Sequence, residues 1–214
     1  NIGKDTTTAV VDVVSTTGKI WMDRNLGATK VAESSDDAAA YGDLYQWGRA
    51  ADGHQVIVHT AATLPNDAAP AAGSSSTVAG PVVAGTEGTN FITNNTSTSD
   101  WLSVQDNNRW QNVAEVNNPC ASGYRLPTET ELNNEVLAFT SNNADGAYDS
   151  QLKLPVAGLR LYSNGKLYFV GISGYYWSST VIDTKARSLF FSSSVSAITS
   201  SERSYGFSVR CIKN

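Results

Sequence analysis

The stretch "LRLYSNGKLYFVGISGYYWSST", residues 159–180, constrains the fold more than any other. Asn164-Gly165 between two short strand-like runs predicts a two-residue type I′ hairpin. In that register Ser163 faces Lys166, Tyr162 faces Leu167 and Leu161 faces Tyr168. Leu161 and Tyr168 then share one face, and Tyr162, Leu167 and Phe169 the other. A hairpin with one wet face alternates apolar with polar residues, whereas this one carries large apolar groups on both. Either both faces are covered, or one is an exposed surface built for contact.

More strands surround the hairpin. From Leu152 onward the chain reads as strand and turn through "LKLPVAG", "GYYWSST", "ARSLFFSSS" and "YGFSVRCIKN". Near the start, "TAVVDVVSTTGKIWMDRNLG" reads as two strands around a Thr-Thr-Gly turn. Two helices are expected. In "YRLPTETELNNEVLAFT", Thr128 and Glu131 form a capping box, and Leu132, Val136 and Phe139 share one face. In "SSDDAAAYGDLYQWGRA", Ser35 and Asp36 are N-cap candidates before an Ala run, with Tyr41, Leu44 and Tyr45 at helical spacing and a kink or stop at Gly42 or Gly48. Residues 51–118 are an Ala-, Gly-, Ser- and Pro-rich insertion without sustained period, too poor in large apolar residues for a second core. Trp101 and Trp110 are expected to pin it to the core. The fold class is α+β, one domain over 1–214 with two helices, short antiparallel strands and a long loop insertion.

Charged residues make up 16% of the chain, low against roughly 25% in typical globular proteins. Ser, Thr, Asn, Gly and Ala fill the difference, as in loop-rich extracellular proteins. A net charge of −5 and a pI near 4.9 argue against nucleic acid as a partner. No run reaches the roughly 18 apolar residues of a membrane span. The opening "NIGKDTTT" lacks the signal-peptide pattern and reads as a mature or trimmed start. Cys120 and Cys211 lack zinc or redox spacing and are read as a disulfide, the alternative being two buried free thiols.

Catalytic signals are sparse. His54 and His59 are read as solvated loop residues without an orienting partner, and a metal site there would need a third ligand. Asp36-Asp37 reads as helix N-terminal charge. No G-x-S-x-G elbow, phosphate loop or dinucleotide fingerprint occurs, so no enzyme activity and no cofactor are expected. The C-terminal third instead holds Tyr162, Tyr168, Phe169, Tyr175, Tyr176, Trp177, Phe190, Phe191, Tyr205 and Phe207. Tyr mixed with Ser and Gly is the composition of paratopes, although burial is the default for any one aromatic.

Five blocks in order carry a family resemblance: "GKIWMDRNLGA", "YGDLYQWGR", "NPCASGYRLPTETEL", "GYYWSST" and "YGFSVRC". Together they resemble the Fibrobacter succinogenes major paralogous domain, a group abundant in Bacteroidetes, which implies a C-type-lectin-like fold. The C-terminal block, about 159–211, further resembles the variable region of proteins diversified by diversity-generating retroelements. There, adenine-directed mutagenesis alters a displayed patch, and "SNG", "WSST" and "GFSVRC" frame it. That resemblance implies ligand contact by Leu161, Tyr162, Tyr168, Phe169, Ile172, Tyr175, Ile182, Phe190, Ser192, Val195, Ala197, Ser200 and Ser201. Randomising both adenines of an Asn codon reaches Tyr, Phe, Leu, Ile, Val, Ala and Ser but not Trp, Met, Lys, Glu or Gln, and none of these positions holds one of those five. Trp177 and Lys166 are therefore framework.

The carboxylate motifs of calcium-dependent sugar-binding lectins are missing, so calcium-dependent binding is not carried over. The oxidase activity of the formylglycine-generating enzyme, which shares the broad fold, needs a close cysteine pair and is not carried over either. The expected function is thus a non-enzymatic receptor- or adhesin-type module. Its partner would be a protein or glycan on a cell or phage-host surface. The domain is expected to be monomeric and extracellular or cell-surface, lipid-anchored through a segment before residue 1, or part of a phage virion. The competing reading is a structural surface domain whose aromatics are core.

Overall fold

The computed structural model describes residues 3–111 and 117–214. Residues 112–116 of the expected insertion lie outside the described residues. The first strands are β1 (Asp12–Val14), β2 (Ile20–Met22), β3 (Tyr45–Gln46), β4 (Thr77–Ala79), β5 (Phe91–Thr93) and β6 (Tyr124–Arg125). Helices α1 (Glu129–Leu137) and α2 (Ala144–Asp149) follow. Then come β7 (Leu159–Arg160), β8 (Leu167–Tyr168), β9 (Gly174–Ile182), β10 (Lys185–Phe191), β11 (Ser196–Glu202), β12 (Gly206–Phe207) and β13 (Ile212–Lys213). The fold is mixed and mostly strand. The sheets run β1-β2-β13-β6, β11-β10-β9 and β3-β12-β7-β8, all antiparallel. The insertion departs from the antiparallel expectation, because β4 and β5 pair in parallel.

Helix α1 forms as its sequence dictates. Glu131 N–H donates to Thr128 Oγ1 at 3.2 Å and Thr128 N–H to Glu131 Oε2 at 2.8 Å, satisfying two otherwise orphaned donors. Leu132 and Val136 are buried, and Phe139 packs on the same cluster from just past the helix end. The second expected helix does not form. Only a 3₁₀ turn, Ala38–Ala40, follows Asp37, whose carboxylate accepts from Ala39 N–H. Gly42 stands at φ 70°, and a Cβ there would lie 2.3 Å from the Leu26 carbonyl, so the chain must leave the helix to pass this close. The second helix is α2, capped by Asn143, which accepts from Gly146 N–H.

The longest sheet, β9–β11, lies between two apolar clusters. Tyr176, Leu189 and Phe191 face α1 and α2 beside Leu132 and Ala147. Trp177 and Ala186 face the other way, among Trp47, Trp110, Phe207 and the buried disulfide. Cys120 and Cys211 are bonded with Cα atoms 5.9 Å apart, which excludes the free-thiol alternative. Trp101 and Trp110 pin the insertion as expected. Trp101 donates to Trp47 O at 2.7 Å and Trp110 to Arg49 O at 3.1 Å. Among the described residues no helix is long and apolar enough to cross a membrane.

Candidate functional site

The hairpin forms, but in a different register. Leu159 pairs with Tyr168 and Arg160 with Leu167, and Leu161 N–H donates to Lys166 O. Four residues therefore make the loop, closed by Gly165 N–H donating to Leu161 O. A type I′ turn needs φ > 0 at both central residues, yet Asn164 is not left-handed and Gly165 alone stands at φ 69°. The Asn164 side chain instead accepts from Lys166 N–H at 2.9 Å, which fixes the wider turn. A shift of two residues keeps each side chain on its face.

The two faces meet different fates. Arg160 and Leu167 are each 1% exposed, covered by the insertion, and Ala68 bridges to Leu167. Leu161 and Tyr168, on the other face, are half-buried. Asp67 holds this side of the hairpin, accepting from Tyr168 Oη at 2.9 Å and pairing with Lys166 Nζ at 2.7 Å. Those two bonds draw the Asp67 carboxyl below its usual range. Beyond β8, Phe169 and Ile172 point out at 36% and 49% exposure.

From the hairpin an aromatic string crosses onto the three-stranded sheet. Tyr168 and Phe169 rings lie 6.3 Å apart, Phe169 and Tyr175 6.3 Å, and Tyr175 and Phe190 5.2 Å. Tyr175, Phe190 and Ala197 form one cross-strand row over β9, β10 and β11. A branch runs from Tyr175 over the buried Phe207 (5.2 Å) to Tyr205 (5.2 Å) and on to Tyr162 (4.8 Å). Such offset and edge contacts suit aromatic quadrupoles and hold the exposed rings in fixed positions. Partial burial pushes the Tyr175 and Tyr205 phenols up to about 12, so both are neutral hydrogen-bonding groups at pH 7.

The structure thus brings Leu161, Tyr162, Tyr168, Phe169, Ile172, Tyr175, Phe190 and Ala197 to one region. Ser192 and the 37%-exposed Val195 occupy the β10–β11 turn at the same end of the sheet. Three expected residues fall elsewhere. Ile182 ends β9, about 23 Å from Tyr175 at about 3.3 Å per residue. Ser200 is exposed but faces the opposite side, accepting from Arg187 Nη1 at 2.8 Å. Ser201 corrects the expectation of exposure, since it is 8% exposed and bonded to Ser188 Oγ at 3.1 Å. Tyr205 was not among the expected contact residues yet completes the string. Its two-residue spacing from Phe207 is the sequence signal, because both rings then lie on one side of the strand.

The framework residues between these positions are buried and bonded. Trp177 donates to Tyr45 O at 2.6 Å, and Ser178 Oγ to Arg187 O at 2.8 Å. Trp47 donates in turn to Ser178 O at 2.9 Å.

Both histidines lie in loop segments as expected, but neither is solvated. His54 is fully buried. Its Nδ1 lies 2.6 Å from Asp52 Oδ1 and its Nε2 accepts from Gln46 N–H at 3.0 Å, so Nδ1 carries the proton. Burial and the Arg49 guanidinium lower it to about 4 despite Asp52. His59 lies on the Tyr41 ring (5.1 Å) and donates from Nε2 to Gly42 O at 2.7 Å. Both fasten the start of the insertion, and the Asp52-x-His54 spacing was the missed signal. Among the described residues no group of three His, Cys, Asp or Glu side chains could hold a metal.

Residues 134–212, from within α1 to β13, match a family described as a domain of unknown function, DUF8237. The matched part contains the whole aromatic string, and it is this part of the chain that is similar to that family. No curated protein and no solved structure matches the chain.

Proposed function

We propose that the protein is a non-enzymatic ligand-binding module that displays a diversified contact patch on a C-type-lectin-like scaffold. The observation that carries this reading is the string of partly exposed rings Tyr168, Phe169, Tyr175 and Phe190, joined through the buried Phe207 to the partly exposed Tyr205 and Tyr162 and laid over buried framework residues. Aromatic anchors supply most of the energy in protein recognition, and the neighbouring Ala197, Ser192 and Val195 would set the shape around them. The partner is a protein or glycan outside the cell, a setting that the Cys120–Cys211 disulfide suits.

Phe169 supports diversification in a second way. It stands at φ 58°, a region that costs a bulky residue on the order of 1–2 kcal/mol and that Asn enters readily. A template encoding Asn at 169 fits this backbone, and a Phe there is what mutagenesis of that codon leaves behind. The rival reading, aromatics as core, draws on Leu161, Tyr168, Tyr175 and Tyr205, which pack against the Trp177–Phe207 cluster.

Two experiments decide. Sequencing the locus should reveal a reverse transcriptase gene and a near-copy of the 159–211 coding segment with Asn codons at the patch positions; a locus without them removes diversification. Replacing Tyr162, Tyr168, Phe169 and Tyr175 together by Ser should leave a cooperatively folded protein. Unfolding at 25 °C would assign these rings to the core.

A further inference from the structure

A groove of about 570 Å³ separates residues 70–77 of the insertion from the hairpin tip, Asn164 to Lys166. Arg160 forms its inner wall. The side chain is 1% exposed and its guanidinium stacks 4.3 Å above the Phe91 ring. Nε donates to Gly165 O at 2.7 Å, Nη1 to Ser75 Oγ at 2.7 Å and Nη2 to Ser75 O at 2.8 Å. Every one of these partners is neutral, and two of the five guanidinium N–H groups remain beyond those three bonds.

Burial without a counter-ion is costly for a cation. Of the other three buried arginines, Arg49 pairs with Asp52 at 2.9 Å and Arg203 lies 3.7 Å from Asp100, whereas Arg210, like Arg160, donates only to neutral acceptors, Asn25 Oδ1 and Leu152 O, but does not line this groove. Arg160 has no carboxylate within ion-pair distance among the described residues, and burial alone draws its guanidinium down to about 10. Lys166 adds a second cation at the rim, held from outside the groove by Asp67. Among the described residues no Asp or Glu lines the groove, although the chain carries a net charge of −5. The remaining wall combines the small apolar residues Pro70, Ala71 and Ala72 with Gly73, Gly165, the hydroxyl residues Ser74, Ser76 and Thr77, and Asn164.

We propose that this groove binds an acidic sugar, its carboxylate taken by Arg160 and Lys166 and its hydroxyls by Ser74, Ser76, Thr77 and Asn164. The volume lies within the roughly 300–1,000 Å³ of small-molecule sites. A hydroxyl- and amide-rich wall suits a polyhydroxylated ligand better than an apolar side chain. A carboxylate here would gain charge-assisted hydrogen bonds from a remaining guanidinium N–H and from the Lys166 ammonium. None of the thirteen patch candidates lines the groove. The site therefore shares no residue with the aromatic patch, and its assignment does not depend on diversification.

Amide chemical-shift titration of the whole protein tests this with glucuronic acid and N-acetylneuraminic acid, against glucose as the neutral control and acetate as the bare anion. The acidic sugars should move the amides of residues 73–77 and 164–166 with millimolar affinity. Glucose and acetate should each bind at least about 10-fold more weakly, a factor worth about 1.4 kcal/mol. Lys166→Gln should weaken binding several-fold at an unchanged melting temperature, and Arg160→Lys should weaken it further. If Arg160→Lys does not fold, Lys166→Gln decides alone. The proposal fails if no shift appears by about 50 mM, an affinity too weak to matter, or if the shifts fall elsewhere. It fails equally if glucose matches the acids or if acetate binds as tightly as the sugars.

Discussion

Replacing Phe169 by Gly and by Ala, in separate variants, isolates the backbone cost at the centre of the patch. Both substitutions delete the ring, which is 36% exposed and touches only Tyr168 and Tyr175 among aromatics. The lost burial is therefore common to both and cancels in the comparison. At an ordinary strand position Ala is more stable than Gly by about 0.5–1 kcal/mol, because Gly loses more freedom on folding. At φ 58° the Cβ of Ala costs on the order of 1–2 kcal/mol. The sign should reverse, leaving the Gly variant ahead by about 0.5–1 kcal/mol. For a chain of this size that is about 1–4 °C in melting temperature. Urea unfolding followed by circular dichroism at pH 7 reads the difference directly. An Ala variant equal to or more stable than the Gly variant would refute the left-handed assignment, and with it the fit of Asn to this position.

Three more outcomes are expected. His54 is held neutral, down to about 4 against an unfolded value of about 6.5, so the folded state binds fewer protons in acid. Its contribution is intact above pH 6.5 and is lost as pH falls towards 4, by up to about 3 kcal/mol; His54→Asn should flatten that limb of a stability–pH curve. Asp43 acts in the opposite sense, raised to about 7 by burial, so its contribution declines as pH rises from about 4 to 7, and Asp43→Asn should stabilise the protein at pH 8. Replacing both Cys120 and Cys211 by Ser opens a bridge of sequence separation 91 and should cost about 2–5 kcal/mol in urea unfolding, with wild-type protein showing no titratable thiol until reduced.

Local chemistry made part of this fold legible. The Thr128–Glu131 box, the Thr-Thr-Gly turn between β1 and β2, the disulfide and the two pinning tryptophans follow from side chains that act on near neighbours or have few alternatives. Long-range contacts decided the rest. The Ala run before Gly42 has helical propensity, but the close pass of the Leu26 carbonyl ends it after one turn. Helix α2 hides in "NADGAYDS", whose Asn, Asp and Gly look like a turn. Gly146 is required there because a Cβ would fall 1.9 Å from Ser141 O. The hairpin register moved because the Asn164 side chain bonded to Lys166 N–H.

At the candidate site, the sequence placed the aromatics in one region but could not rank their burial. Phe207 and Tyr205 are two residues apart, yet the first is stacked on Trp177 at 4.3 Å and the second is half-exposed. Ser201 was indistinguishable from Ser200 until Ser188 closed over it. His54 looked solvated because Gln46, eight residues earlier, reaches it only through the turn that opens the insertion, and the neighbouring Asp52 alone did not imply burial.

The central claim is that the patch is substitutable and its underlying framework is not. The most direct measurement is the folded fraction of two displayed libraries, scored by protease resistance. In one, Leu161, Tyr162, Tyr168, Phe169, Ile172, Tyr175, Phe190 and Ala197 are drawn from the amino acids reached by randomising both adenines of an Asn codon. In the other, the buried neighbours Leu167, Val170, Tyr176, Trp177, Leu189, Phe191, Phe207 and Val209 are drawn from the same set. Each buried truncation costs about 2–5 kcal/mol against a total stability of about 5–15 kcal/mol, so two or three suffice to unfold the second library. Most of the first should fold and nearly all of the second should not. Equal loss in both would contradict the display surface and assign the aromatics to the core.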